Sequence, residues 1–105
     1  MQKELELYEI LYVVEPTFTE QETEEKMEYY QKFLTNKGSQ VMVQNRGKRN
    51  LSYPIKGFET ANYIQMFYLG NGELVKSLNK EIQRDLKVLR HMTTKLPGPL
   101  NTTDI

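Results

Sequence analysis

Four cations fall within eleven residues with no acid among them: Arg46, Lys48, Arg49 and Lys56. Asn45, Asn50 and Tyr53 are interleaved with them. Long cationic side chains bind phosphates by charge and by releasing condensed counterions, while asparagine and tyrosine add hydrogen bonds and a ring on which a base can stack. The chemistry such a run suits is recognition of a nucleic acid. The same residues would also make an ordinary solvated, basic hairpin. Arg84, Lys87 and Arg90 join the set if the strand they introduce starts on the same side of the fold.

Other chemistries lack their tools. With no cysteine there is no disulfide, thiolate nucleophile or thiolate metal site. The single histidine, His91, has no carboxylate or cysteine near it in sequence and reads as a packing or partner-contact residue rather than a general base. The loop Glu15-Pro16-Thr17-Phe18 is acidic and lacks the arginine of an anion-cradling phosphatase loop. Gly70-Asn71-Gly72 precedes a helix as a phosphate-binding turn would, but Val75 stands where the dinucleotide fingerprint needs its third glycine, so a plain helix start is expected. Asn101-Thr102-Thr103 spells a glycosylation acceptor with no secretory signal ahead of it, and is set aside. No cofactor, metal or small-molecule substrate is expected.

The chain that must position these residues has 105 residues, 38% hydrophobic and 27% charged, which suits one globular domain. No apolar stretch approaches the ~20 residues that span a bilayer, so no membrane partner is expected. The net charge of zero hides an asymmetry: residues 1 to 30 carry nine acids against two bases, and residues 31 to 105 twelve bases against five acids. Either the two signs intermix in space, or they form a bipolar surface whose basic pole faces a polyanion.

Leu7 to Val14 predicts a strand, with Tyr8, Ile10, Tyr12 and Val14 on one face and the largely apolar Leu7, Glu9, Leu11 and Val13 on the other. Pro16 ends it. Thr19-Glu20-Gln21-Glu22 is a capping-box pattern, opening a helix to about Lys37 whose inner stripe is Met27, Tyr30, Phe33 and Leu34. Its glutamates form a solvated face matched to the helix dipole. Gln40 to Arg49 is a second strand leading into Leu51 to Ile55, where Pro54 demands a sheet edge or a strand end. Lys56 to Thr60 is turn-like, Tyr63 to Leu69 is a third strand, and Leu74, Val75, Leu78 and Ile82 mark a second helix. Val88 to Thr94 is the fourth strand.

The order βαββαβ is that of a ferredoxin-like α+β fold, a four-stranded antiparallel sheet with both helices on one face. Residues 1–96 form this single domain and residues 97–105 an extended tail. The other sheet face stays open, with Leu11, Val13, Tyr63 and Phe67 exposed together, which predicts a protein partner.

Gly47-Lys48-Arg49-Asn50-Leu51-Ser52-Tyr53-Pro54-Ile55 resembles the signature of the bacterial and plastid family of small-ribosomal-subunit protein six: glycine, any residue, a base, a polar residue, leucine, a small residue, tyrosine, any residue, isoleucine. Tyr8-Glu9, Pro16, Gly38 and Arg84-Asp85 extend the likeness over nearly the whole chain. The resemblance implies a non-enzymatic constituent of the small subunit. It would bind the central domain of small-subunit rRNA together with ribosomal protein eighteen, in the bacterial cytoplasm or, for a plastid source, the stroma. It further implies Arg49 as an RNA-proximal base, with Leu51, Tyr53 and Ile55 anchoring their strand in the core. On this reading Arg46, Lys48, Arg49, Lys56, Arg84, Lys87 and Arg90 meet RNA. Leu11, Val13, Tyr63, Phe67, His91 and the tail from Pro97 to Ile105 meet protein. The alternative, from the fold alone, is a scaffold or ligand-sensing domain that associates through its sheet with no RNA role.

Overall fold

Alternation of large apolar side chains with smaller or polar ones draws the first strand, β1 (Glu6–Val14), into the middle of a sheet. Tyr8, Ile10, Tyr12 and Val14 are buried on one side of it. The computed structural model describes residues 5–97, so most of the expected tail and the Asn101 triplet lie outside the described residues. After β1 come α1 (Glu20–Thr35), β2 (Val41–Ile55), β3 (Phe58–Gly70), α2 (Gly72–Gln83) and β4 (Val88–Lys95). The sheet is antiparallel with strand order β2-β3-β1-β4, the ferredoxin-like arrangement expected.

Local chemistry starts and stops each helix. The Thr19 hydroxyl accepts from the Glu22 N–H at 3.1 Å, and the Glu22 carboxylate accepts from the Thr19 N–H at 2.8 Å, closing the capping box. Gly38 ends the turn after α1 at φ +90°, a left-handed conformation that glycine adopts without a Cβ penalty. Asn71 caps α2 by accepting from the Leu74 N–H at 2.9 Å. The preceding Gly70 is packed so closely that a Cβ there would stand 2.6 Å from the Leu74 side chain. Gly70-Asn71-Gly72 is thus a capped helix start.

Under the helices, Tyr30, Leu34, Leu78 and Ile82 close on Ile10, Tyr12, Ile64 and Met66. Each such Leu or Ile contributes about 1.5–3 kcal/mol through burial. Asp85, just after α2, accepts from the Lys26 ammonium and from the Tyr30 hydroxyl, the latter at 2.7 Å, and so ties α1 to the α2–β4 turn.

The strands depart from expectation in length. Leu51 to Ile55 continues β2, and Lys56-Gly57 alone makes the turn, at φ +50° and +84°. The values match a type I′ turn, whose twist suits a hairpin. The sequence predicts a longer turn here because Lys56 is an unusual residue for a left-handed position. The result is a β2–β3 arm reaching beyond the end of β1. Pro54 is tolerated because β2 is an edge strand and its ladder to β3 is interrupted between Asn50 and Ile55.

Candidate nucleic-acid and partner interface

Register brings the distant bases to one end of the sheet. Arg90 pairs with Val13, Val13 with Tyr63, and Tyr63 with Gly47, so one row crosses all four strands. In the next row Lys48 pairs with Asn62, Asn62 with Val14, and Val14 with Val88. Arg49 follows, opposite Ala61. Arg46 sits at a register shift beside Gly47, whose φ of +88° needs a glycine. The Arg46–Arg49 segment and the start of β4 therefore share an end, three strand spacings apart, or about 14 Å.

Arg46, Lys48, Arg49 and Lys56 are all exposed. Among the described residues none of them makes a salt bridge, and Glu59 is the acid nearest the tip of the arm in sequence. Arg46 instead donates to the Gln44 side chain at 3.1 Å, and the Arg49 Nε donates to the Arg46 carbonyl at 3.3 Å. These contacts splay the side chains without neutralising them. Elsewhere the signs intermix: Lys26 pairs with Asp85, Lys87 with Glu15, Lys95 with Glu6 and Lys32 with Glu28. The sequence asymmetry thus becomes a basic arm on a mixed body.

Of the three bases after α2, Arg84 is exposed at the C-cap and Lys87 is held 3.7 Å from Glu15. Arg90 lies on the open face. Its guanidinium donates to the Tyr53 hydroxyl at 2.8 Å and stands 5.7 Å from the centre of that ring. A bulge produces this placement, since Leu89 and Arg90 together oppose Val13.

The open face is less open than its alternation suggests. Val13 is only 5% exposed, because the arm swings across it and packs Leu51, Ile55, Phe58 and Tyr63 around Val13, Ala61 and Leu89. The expectation that Val13 is exposed with Leu11, Tyr63 and Phe67 is corrected. Leu11, Tyr63 and Phe67 are half-buried. Tyr53, expected in the core, is exposed over 56% of its surface, while Leu51 and Ile55 do pack inward. Between the arm and β4 runs a groove of about 140 Å³, lined by Leu11, Val13, Leu51, Tyr53, Tyr63 and Met92 among others. Two methionines missed in the sequence flank the face: Met92 pairs with Leu11, Met42 with Phe67, and each is nearly 60% exposed. Their exposure depends on strand order, which alternation alone does not give.

His91 pairs with Tyr12 in the register and, with Arg90 and Met92, is among the residues that line the groove. It is half-buried, and burial pushes its imidazole below the ordinary histidine range. No group of His, Cys, Asp or Glu among the described residues could hold a metal ion. No helix among them is long and apolar enough to cross a membrane.

Comparison with known proteins points to one family. The family model described as Ribosomal protein S6 matches residues 7–95. The small ribosomal subunit protein bS6c of Guillardia theta is 39% identical over 93 residues, covering 88% of this chain and 97% of that protein. The bS6 protein of Prochlorococcus marinus strain MIT 9303 is 37% identical over 94 residues, covering 89% and 76%. In structure, the chain is similar to the 30S ribosomal protein S6 of Thermotoga maritima, with a TM-score of 0.83 at 21% identity over 89% of each chain.

Proposed function

The chain belongs to the ribosomal protein S6 family, a family of small-ribosomal-subunit proteins rather than enzymes, and on that premise we propose that it binds the central domain of small-subunit rRNA together with ribosomal protein eighteen, as a heterodimer. The observation that carries the reading is the arm: four exposed bases with no carboxylate partner among the described residues, at the same sheet end as Arg90 and beside a half-open apolar face. Arg46, Lys48, Arg49 and Lys56 take phosphates, with Arg84, Lys87 and Arg90 as further contacts toward β4. Leu11, Tyr63 and Phe67, flanked by Met42 and Met92, take the protein. Val13 supports that surface from beneath, and His91 and the tail from Pro97 are peripheral candidates. The compartment follows the source, the cytoplasm of a bacterium or the stroma of a plastid; relatives of similar identity are of both the bS6 and bS6c kinds. A scaffold with no RNA role is less favoured, since it gives no reason for four exposed bases to gather on one arm.

The test is a salt titration of binding to a central-domain fragment of small-subunit rRNA, with and without protein eighteen. A phosphate-dominated shared site gives tight binding only with both proteins, and affinity that falls steeply with salt. Absence of binding under both conditions by the folded protein overturns the reading.

A further inference from the structure

One carboxylate stands in the middle of the open face. Glu9 belongs to central strand β1 and is paired with Phe67 on one side and Thr94 on the other. It is half-buried and accepts a hydrogen bond from the Gln65 side-chain amide. No cation meets it among the described residues, whereas Glu6 and Glu15 on the flanks each have a lysine. A carboxylate accepts at about four lone-pair sites, and Gln65 fills one. Apart from Thr94, its neighbours on this face are apolar, with Phe67 beside it and Leu11 and Met42 near by in the register.

We infer that Glu9 is the specificity-determining contact of this face, and that the partner it fits presents an arginine flanked by apolar side chains. This rests on the reading of the face as a protein-docking surface. A partner that covers the face strips water from Glu9, which is unfavourable unless a cation replaces the water. A guanidinium can fill the remaining lone pairs of the two oxygens in a bidentate pair while its planar group stacks on the Phe67 ring. A partner lacking that cation is rejected by the buried charge, so the one group both attracts and excludes. Phosphates are repelled here and drawn to the arm, whose four bases make no salt bridge among the described residues. The molecule thereby sorts its two ligands by charge, the polyanion to the arm and the cationic protein to the sheet.

Calorimetric titration with protein eighteen tests this, using Glu9→Gln, Glu9→Lys and Thr94→Lys, with urea midpoints as a check of folding. The expected result is binding at least tenfold weaker for Glu9→Gln and at least a hundredfold weaker for Glu9→Lys. Thr94→Lys, at an exposed position on an edge strand, should weaken binding several-fold by giving Glu9 a cation of its own. Equal partner affinity for wild type, Glu9→Gln and Thr94→Lys overturns the inference and leaves the docking surface standing. No binding of protein eighteen by wild type overturns both.

Discussion

The Arg90 guanidinium donates to the Tyr53 hydroxyl at 2.8 Å, joining edge strands that two other strands separate in the sheet. Neither residue is in the core: Arg90 is exposed, and Tyr53 is 56% exposed. The contact closes the arm over Val13 and gives the groove its far wall. It also draws a base from β4 toward the arm and places that base on the wall of the groove.

Tyr53→Phe removes the hydrogen bond and keeps the ring. It should cost about 0.5–1 kcal/mol in urea unfolding, and a double-mutant cycle with Arg90→Ala should return a coupling of that size. Amide exchange should rise in residues 49–61 and stay unchanged in β1. A coupling near zero would mean that packing of Leu51 and Ile55 alone holds the arm.

Charge reversal on the arm should act on RNA and spare folding. Lys48 and Arg49 lie on opposite faces of β2, paired with Asn62 and Ala61 respectively, and both are exposed. Lys48→Glu and Arg49→Glu should each weaken rRNA binding, and each should flatten the slope of log affinity against log salt by about 0.7–0.9 for every phosphate that the variant no longer neutralises. An unchanged slope in both removes the arm from the RNA site.

The two aromatics of the open face should separate. Tyr63 packs on the Val13, Ala61 and Leu89 cluster, so Tyr63→Ala should destabilise the fold by about 2–4 kcal/mol. Phe67 faces outward between Met42 and Glu9, so Phe67→Ala should cost less stability and weaken partner association more. Equal stability losses, read from urea midpoints, would count Phe67 as core.

Asp85 should set the acid limb of stability. Burial pushes its carboxyl up, but hydrogen bonds from Lys26, Tyr30 and the Lys87 backbone, with the Lys26 charge, outweigh burial and hold it below the ordinary aspartate range. A carboxyl whose folded pKa is lowered stabilises the fold above its unfolded value near 3.8, and that stability is lost as pH falls through the folded value. Asp85→Asn should therefore cost about 1–3 kcal/mol at pH 7 through the lost charge-assisted hydrogen bonds, and show a shallower loss of stability as pH falls below the unfolded aspartate value. Identical pH profiles for variant and wild type would deny the group its role.

Much of the fold is legible in the sequence because its signals are local. Thr19 and Glu22 declare a helix start by their spacing, and Pro54 demands an edge whatever surrounds it. The fate of Val13 is not legible, since alternation assigns a face without saying what folds over it. Leu89 is hidden for a related reason: a bulge puts it on the same side as Arg90, and only the pairing with β1 shows the extra residue. The paired-strand geometry likewise decides that Met42 and Met92 flank the face and that Glu9 lies at its centre.

Lys56 trades stability for charge. It takes the first central position of a type I′ turn at φ +50°, where a lysine Cβ is crowded and asparagine is preferred before glycine. Lys56→Asn should therefore stabilise the fold, by about 0.5–1 kcal/mol, and slow exchange at the arm's tip. The same change removes the outermost base. It should lower rRNA affinity and reduce its salt slope by up to one phosphate's share. Gly57→Ala is the complementary control: at φ +84° it should destabilise by about 1 kcal/mol while leaving the charge in place. If Lys56→Asn stabilises the arm and RNA affinity holds, the lysine is a turn residue only, and the phosphate-binding bases of the arm end at Arg49.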